Sequence, residues 1–228
     1  MEENGTKKGY TLWERWTGKV PSEPDHPEQK LNSPLKLKCK DIVINKALSE
    51  HDRTYTVAEV REYHRRIAGT EFYFADYLLR DGNELRILRA IPRLDRDPDD
   101  KRECDLLWLS VYKDMQFDAG LREAVMQNEL NETDDTGNTL RTFSALNAGK
   151  DGFLARITSV EAGKECFAKR KVRYWDFFRK GERAKGEPEG EDIFLFVEFD
   201  EEDGYIVMLL GTTILSPEIE IYPRSERQ

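Results

Sequence analysis

Two stretches of this chain share one spacing of aromatic, acidic and turn residues, and that spacing admits few folds. Phe72, Phe74, Asp76, Tyr77, Asp81 and Gly82 stand at relative positions 0, 2, 4, 5, 9 and 10, as do Phe194, Phe196, Glu198, Phe199, Asp203 and Gly204. Aromatic runs that end in Asp-Gly predict hairpins, because glycine enters the positive-φ region of a tight turn without a Cβ clash. An apolar run follows each copy, so hairpins are expected over 72–88 and 194–214. Upstream of each lies a Val-Arg with a tyrosine close by, Val60-Arg61 with Tyr63 and Val172-Arg173-Tyr174. These coincidences read as an internal duplication.

Other segments carry the same strand signature. Leu35-Lys36-Leu37-Lys38-Cys39-Lys40 alternates apolar and basic residues, the period-2 mark of a strand with one wet face, and Ile42-Val43-Ile44 continues it. Residues 106–112, 153–157, 172–178 and 219–222 are apolar, β-branched or aromatic and are assigned to strands. Thr56-Val57-Ala58-Glu59 matches a helix capping box, and Val60, Tyr63, His64 and Ile67 have helical spacing. The proposed repeat sets this segment against 172–178, so 57–66 is taken as an outer strand. Residues 117–126 form a short helix, and 131–138 (NETDDTGN) read as loop.

The resulting fold class is α+β, predominantly antiparallel β, with two related β-meander or barrel-like units and a short helix between them. The units fall at 34–113 and 150–228, the irregular connection at 114–149, and an N-terminal arm at 1–33. Pro21, Pro24 and Pro27 interrupt the arm, which also presents Trp13 and Trp16 on one face of a short turn. Tryptophan brings large contact area, so these two are expected to dock on the protein's own sheet or on another chain, and in the second case they are the partner-binding residues.

Composition narrows the function. Acidic residues outnumber basic ones 45 to 36, giving a net charge of −9. That balance disfavours indiscriminate binding to nucleic acid. No apolar run reaches the ~18 residues of a membrane span and the N-terminus lacks a signal-peptide core, so no membrane insertion and a cytoplasmic location are expected. Three cysteines outside any C-x-x-C pair, Cys39, Cys104 and Cys166, argue against a disulfide framework and a zinc site. Cys39 and Cys166 alternate with lysines that can lower a thiol pKa, but small core residues on strands are the plainer reading.

Little catalytic chemistry is visible. His26, His51 and His64 lie among polar residues and read as solvated surface groups. No nucleophile elbow or phosphate-binding loop occurs. Asp95, Asp97 and Asp99 mimic the start of a calcium loop, yet Asp100 and Leu106 stand where glycine and glutamate are required. Neither cofactor nor metal is expected. Residues 164–185 hold nine basic side chains against three acidic, with five aromatics interleaved, and 187–203 hold nine acidic and no basic ones. Pairing of these two segments as neighbouring strands would neutralise both. An exposed patch would instead bind anions through Lys169, Arg170, Lys171, Arg173 and Arg179.

The chain therefore reads as a non-enzymatic cytosolic binding or assembly protein that works through β-sheet surfaces and the Trp-bearing arm, with another protein or a second copy as partner. The alternatives are an enzyme of unfamiliar type using clustered carboxylates, and an anion or nucleic-acid binder through 164–185.

Overall fold

The turn at Asp81-Gly82-Asn83-Glu84 forms as its chemistry requires: Asp81 pairs with Glu84 across a two-residue loop, and Gly82 takes φ +55°. The structure, a computed structural model, describes residues 33–47, 52–67, 70–93, 103–116, 118–127, 129–133, 136–146, 152–162, 168–181 and 192–224. Among the described residues twelve strands join one antiparallel sheet. In chain order they are β1 Ile42–Asn45, β2 Arg53–Ile67, β3 Thr70–Asp81, β4 Glu84–Pro92, β5 Cys104–Gln116, β6 Glu129–Thr133, β7 Thr139–Ala145, β8 Phe153–Glu161, β9 Ala168–Arg179, β10 Ile193–Asp200, β11 Tyr205–Thr213 and β12 Ile219–Tyr222. The one α-helix among the described residues, α1 (Ala119–Met126), is capped by Asp118, whose carboxylate accepts the Leu121 N–H at 2.7 Å.

Eight strands close a barrel in the order β2-β3-β4-β5-β11-β10-β9-β8 and back to β2. β2–β5 and β8–β11 are each a four-stranded meander. Two seams join them, β2 with β8 (Tyr63↔Ile157) and β5 with β11 (Leu109↔Gly211). Alternation along each strand sends one set of side chains into the lumen. Tyr63, Phe74, Ile157, Val172 and Tyr174 fill one part of it, and Leu78, Ile87, Leu109, Phe196 and Leu209 another. The outer wall is covered in two places. Leu37, Val43, Ile219 and Ile221 lie over Val57, Tyr77, Leu88 and Trp108, while Val125, Leu130 and Phe143 lie over Trp175, Leu195, Val197 and Met208.

β2 is a strand throughout, and its helix-like spacing has a simple cause. A bulge between Val57 and Glu59 inserts one residue, so Val57 and Val60, three apart, both face the outer core. Two expectations need correction. Residues 35–40 are not a strand: Pro34–Lys36 make a 3-10 turn capped by Ser33, and Lys40 has φ +76°. Proline at the first helical position and a serine cap outweigh the alternation, which here records only that Leu35, Leu37 and Cys39 pack on the outer core. Residues 131–138 are not all loop, since β6 and β7 form a hairpin with Leu130 opposite Phe143. Those two side chains are its buried anchors, each stabilising by about 1.5–3 kcal/mol.

The Phe-x-Phe-x-acid part of the pattern faces the lumen in both copies, Tyr77 and Phe199 face the outer wall, and the hairpins around them differ. Gly82 opens a two-residue turn, whereas Gly204 closes the four-residue turn between Asp200 and Tyr205. β3 and β10 run the same way, yet β4 follows β3 around the ring in one sense and β11 follows β10 in the other. The two hairpins therefore do not superpose with strand order and lumenal face both kept.

Candidate functional site

Arg89 stands at the centre of the lumen, brought there because β4 pairs it directly with Asp76 of β3. Its Nε and Nη2 donate to the Asp76 carboxylate, both at 2.7 Å, and Nη2 also reaches Glu198 Oε1 of β10 at 3.1 Å. The Tyr63 hydroxyl donates to Glu198 Oε2 at 3.0 Å. The guanidinium lies 4.5 Å from the Phe74 ring centroid and 4.2 Å from that of Phe196, a cation–π clamp from both sides. Burial opposes the charge on Arg89, but Asp76 and Glu198 outweigh it and hold the guanidinium firmly protonated. Burial raises the pKa of Glu198; Arg89 pulls it back only in part, and Asp76 adds to the rise.

This raised value sets a pH dependence. A glutamate whose folded pKa exceeds its unfolded value contributes stability that is complete below about pH 4.3 and lost as pH rises through the folded value. Glu198→Gln keeps the shape and removes the charge. Its stability relative to wild type is therefore expected to rise between about pH 4 and pH 7, as read from parallel urea melts. A difference that stays constant with pH would show that Glu198 ionises as freely as a solvated carboxylate.

Outside the barrel, α1 and the β6–β7 hairpin stand off the wall and leave a pocket of about 210 Å³. Leu195, Met208 and Leu210 make its floor, and Leu121, Leu130 and Phe143 its sides. The rim is polar: the Tyr112 hydroxyl donates to Glu132 at 2.7 Å, Arg141 lies 3.5 Å from the same carboxylate, and the Lys113 ammonium sits 5.3 Å from the Tyr112 ring centroid. A second, more open groove of about 550 Å³ lies between β7 and the end of β9. Neither cavity is lined by Tyr63, Asp76, Arg89 or Glu198; the two buried carboxylates converge on Arg89.

The five cations expected to bind anions do not converge. Alternation on β9 turns Arg170 toward the lumen and puts Lys169, Lys171, Arg173 and Arg179 on the outside. β9 pairs with β10, and the β10–β11 turn partly neutralises the patch: Arg170 reaches Asp200 at 3.5 Å, and Arg173 donates to Glu201 at 2.8 Å. Of the five, Arg179 lines the open groove. Trp13 and Trp16 lie outside the described residues, as do His26, His51, Cys166 and Asp95–Asp100. His64 has Nε2 3.4 Å from the Glu62 carboxylate and stacks on Tyr73. Lysines do not activate Cys39. Burial raises its pKa, and its Sγ lies 3.1 Å from the Val160 carbonyl as a donor. Burial also pushes Cys104 up to about 12.

Among the described residues, no group of three His, Cys, Asp or Glu side chains is placed to hold a metal, and no helix is long and apolar enough to cross a membrane. Sequence reasoning missed both the lumenal network and the outer pocket. Each network residue did leave a trace, as a charge breaking an apolar run: Asp76 in FYFADYLL, Arg89 in ILRAI, Glu198 in FLFVEFD. No protein-family model matches the chain, and no curated protein or solved structure is significantly similar to it.

Proposed function

We propose that this is a non-catalytic binding and assembly protein in which the pocket beneath α1 receives an aromatic side chain from the N-terminal arm of a second copy. The observation that carries the reading is the pocket itself. At about 210 Å³ it is smaller than the roughly 300–1,000 Å³ of small-molecule sites, and an apolar floor under a charged rim suits one aromatic side chain with charged neighbours. The chain contains such a segment, Trp13-Glu14-Arg15-Trp16. Glu14 complements Lys113, and Arg15 complements Glu132. A tryptophan anchor inside a polar rim is the usual anatomy of an interface hot spot.

Sedimentation of the full chain over a range of concentrations tests this. Wild type is expected to associate, and both Trp13→Ala/Trp16→Ala and the pocket variant Leu210→Glu to remain monomeric. A wild-type chain that is monomeric throughout, or association that survives both variants, would sink the proposal. The lumenal carboxylates lend the alternative of an unfamiliar enzyme less support, because they are paired with Arg89, buried, and line neither cavity.

A further inference from the structure

β7 and β9 share only two register pairs, Ser144↔Phe178 and Ala145↔Phe177, and then part. β9 runs on beside β10, with Arg179 opposite Ile193, while β7 stays with β6, Thr142 opposite Asn131. The fork between them is the open groove of about 550 Å³. Its walls carry three cations, Arg141, Arg179 and Lys180, and three hydroxyls, Thr139, Thr142 and Ser144. Among the described residues none of its lining side chains is a carboxylate, in a chain with nine more acidic than basic residues. Phe178 closes the inner end, packed on Phe194 with ring centroids 5.3 Å apart.

We infer that this fork binds a small molecule bearing a phosphate monoester. A phosphate presents several strong acceptor oxygens in a tetrahedron. Cations and hydroxyl donors on two diverging strands can meet it from separate directions, as a flat row of lysines cannot. Arg141 lines the groove and also lies 3.5 Å from Glu132 in a partly exposed ion pair that gives up little on rearranging toward an anion. Lys180 is exposed and has no ion-pair partner among the described residues. The groove and the outer pocket meet at Arg141, whose partner Glu132 lines the pocket; the other groove residues line only the groove.

The test is a titration of the full-length protein with inorganic phosphate at low ionic strength, followed residue by residue in amide NMR spectra. Saturable shifts are expected to centre on 139–144 and 178–181. Lys180→Ala and Arg141→Ala are each expected to weaken binding about tenfold, the scale of one charge-assisted contact. Lys169→Ala, at the far end of β9, should leave it unchanged. Phenyl phosphate is expected to bind no worse than free phosphate. Shifts scattered over the surface, equal losses from Lys169→Ala and Lys180→Ala, or equal competition by chloride would overturn the site. Exclusion of phenyl phosphate would overturn the monoester.

Discussion

Arg89→Met is expected to cost about 3–5 kcal/mol of folding stability at neutral pH, the scale for breaking a buried ion pair by removing one partner. The substitution fills much of the same space between Phe74 and Phe196 but leaves Asp76 and Glu198 facing each other in a closed lumen. Asp76 is 1% exposed and Glu198 5%, so neither carboxylate can recover its hydration. Without Arg89, which pulls its pKa down, Glu198 would take a proton more readily folded than unfolded, and a group with a raised pKa stabilises most in acid. The deficit should therefore shrink as pH falls toward about 4. Urea unfolding of variant and wild type at neutral and acidic pH reads both effects. Replacing all three groups by apolar residues should recover most of the loss, since buried ion pairs often gain little over well-packed hydrophobes. A loss under about 1 kcal/mol, or one indifferent to pH, would mean the network is not closed to water.

Gly211→Ala should be nearly as damaging. At Gly211 an added Cβ would come 2.0 Å from the Trp108 carbonyl oxygen and 2.8 Å from Leu109 Cα. Those atoms are backbone of β5 and cannot swing aside, so the β5–β11 seam must open. We expect a loss of about 3 kcal/mol or more. The same seam already carries a bulge between Met208 and Leu209, so its close approach depends on this one position. Gly82→Ala is the control. Gly82 has positive φ but nothing within 4 Å of its notional Cβ, so it should lose only the ~1–2 kcal/mol of left-handed strain. Thermal melts that rank Gly82→Ala as the worse variant, or leave Gly211→Ala at wild-type stability, would refute the tight seam.

How much of this was legible depends on how local the signal was. The β3–β4 and β10–β11 hairpins were visible because alternation and an Asp-Gly turn act within a dozen residues. β2 was nearly lost to its helical spacing, because the bulge beside Ala58 resets the alternation that marks a strand. The β6–β7 hairpin was missed because one buried residue per strand, Leu130 and Phe143, is too few to show a period amid NETDDTGN. At 35–40 the pattern was present but a capped turn took precedence. The shared spacing spans both faces, with Phe74 and Phe196 in the lumen and Tyr77 and Phe199 on the outer wall, while the order of the neighbouring strands around the ring lay beyond any pairwise comparison of sequence.

Strand positions, turn chemistry and the excess of acid over base follow from the chain, because backbone sterics, side-chain alternation and charge depend on a residue and its near neighbours. Which strands meet is another matter. Tyr63 pairs with Ile157 and Leu109 with Gly211 across about a hundred residues, and such choices rest on complementary faces that exist only once both meanders have formed. Closure then decides the chemistry. Three charges that break three apolar runs become one buried network because the barrel points Asp76, Arg89 and Glu198 at a common centre, and two strands that part after two register pairs become a groove.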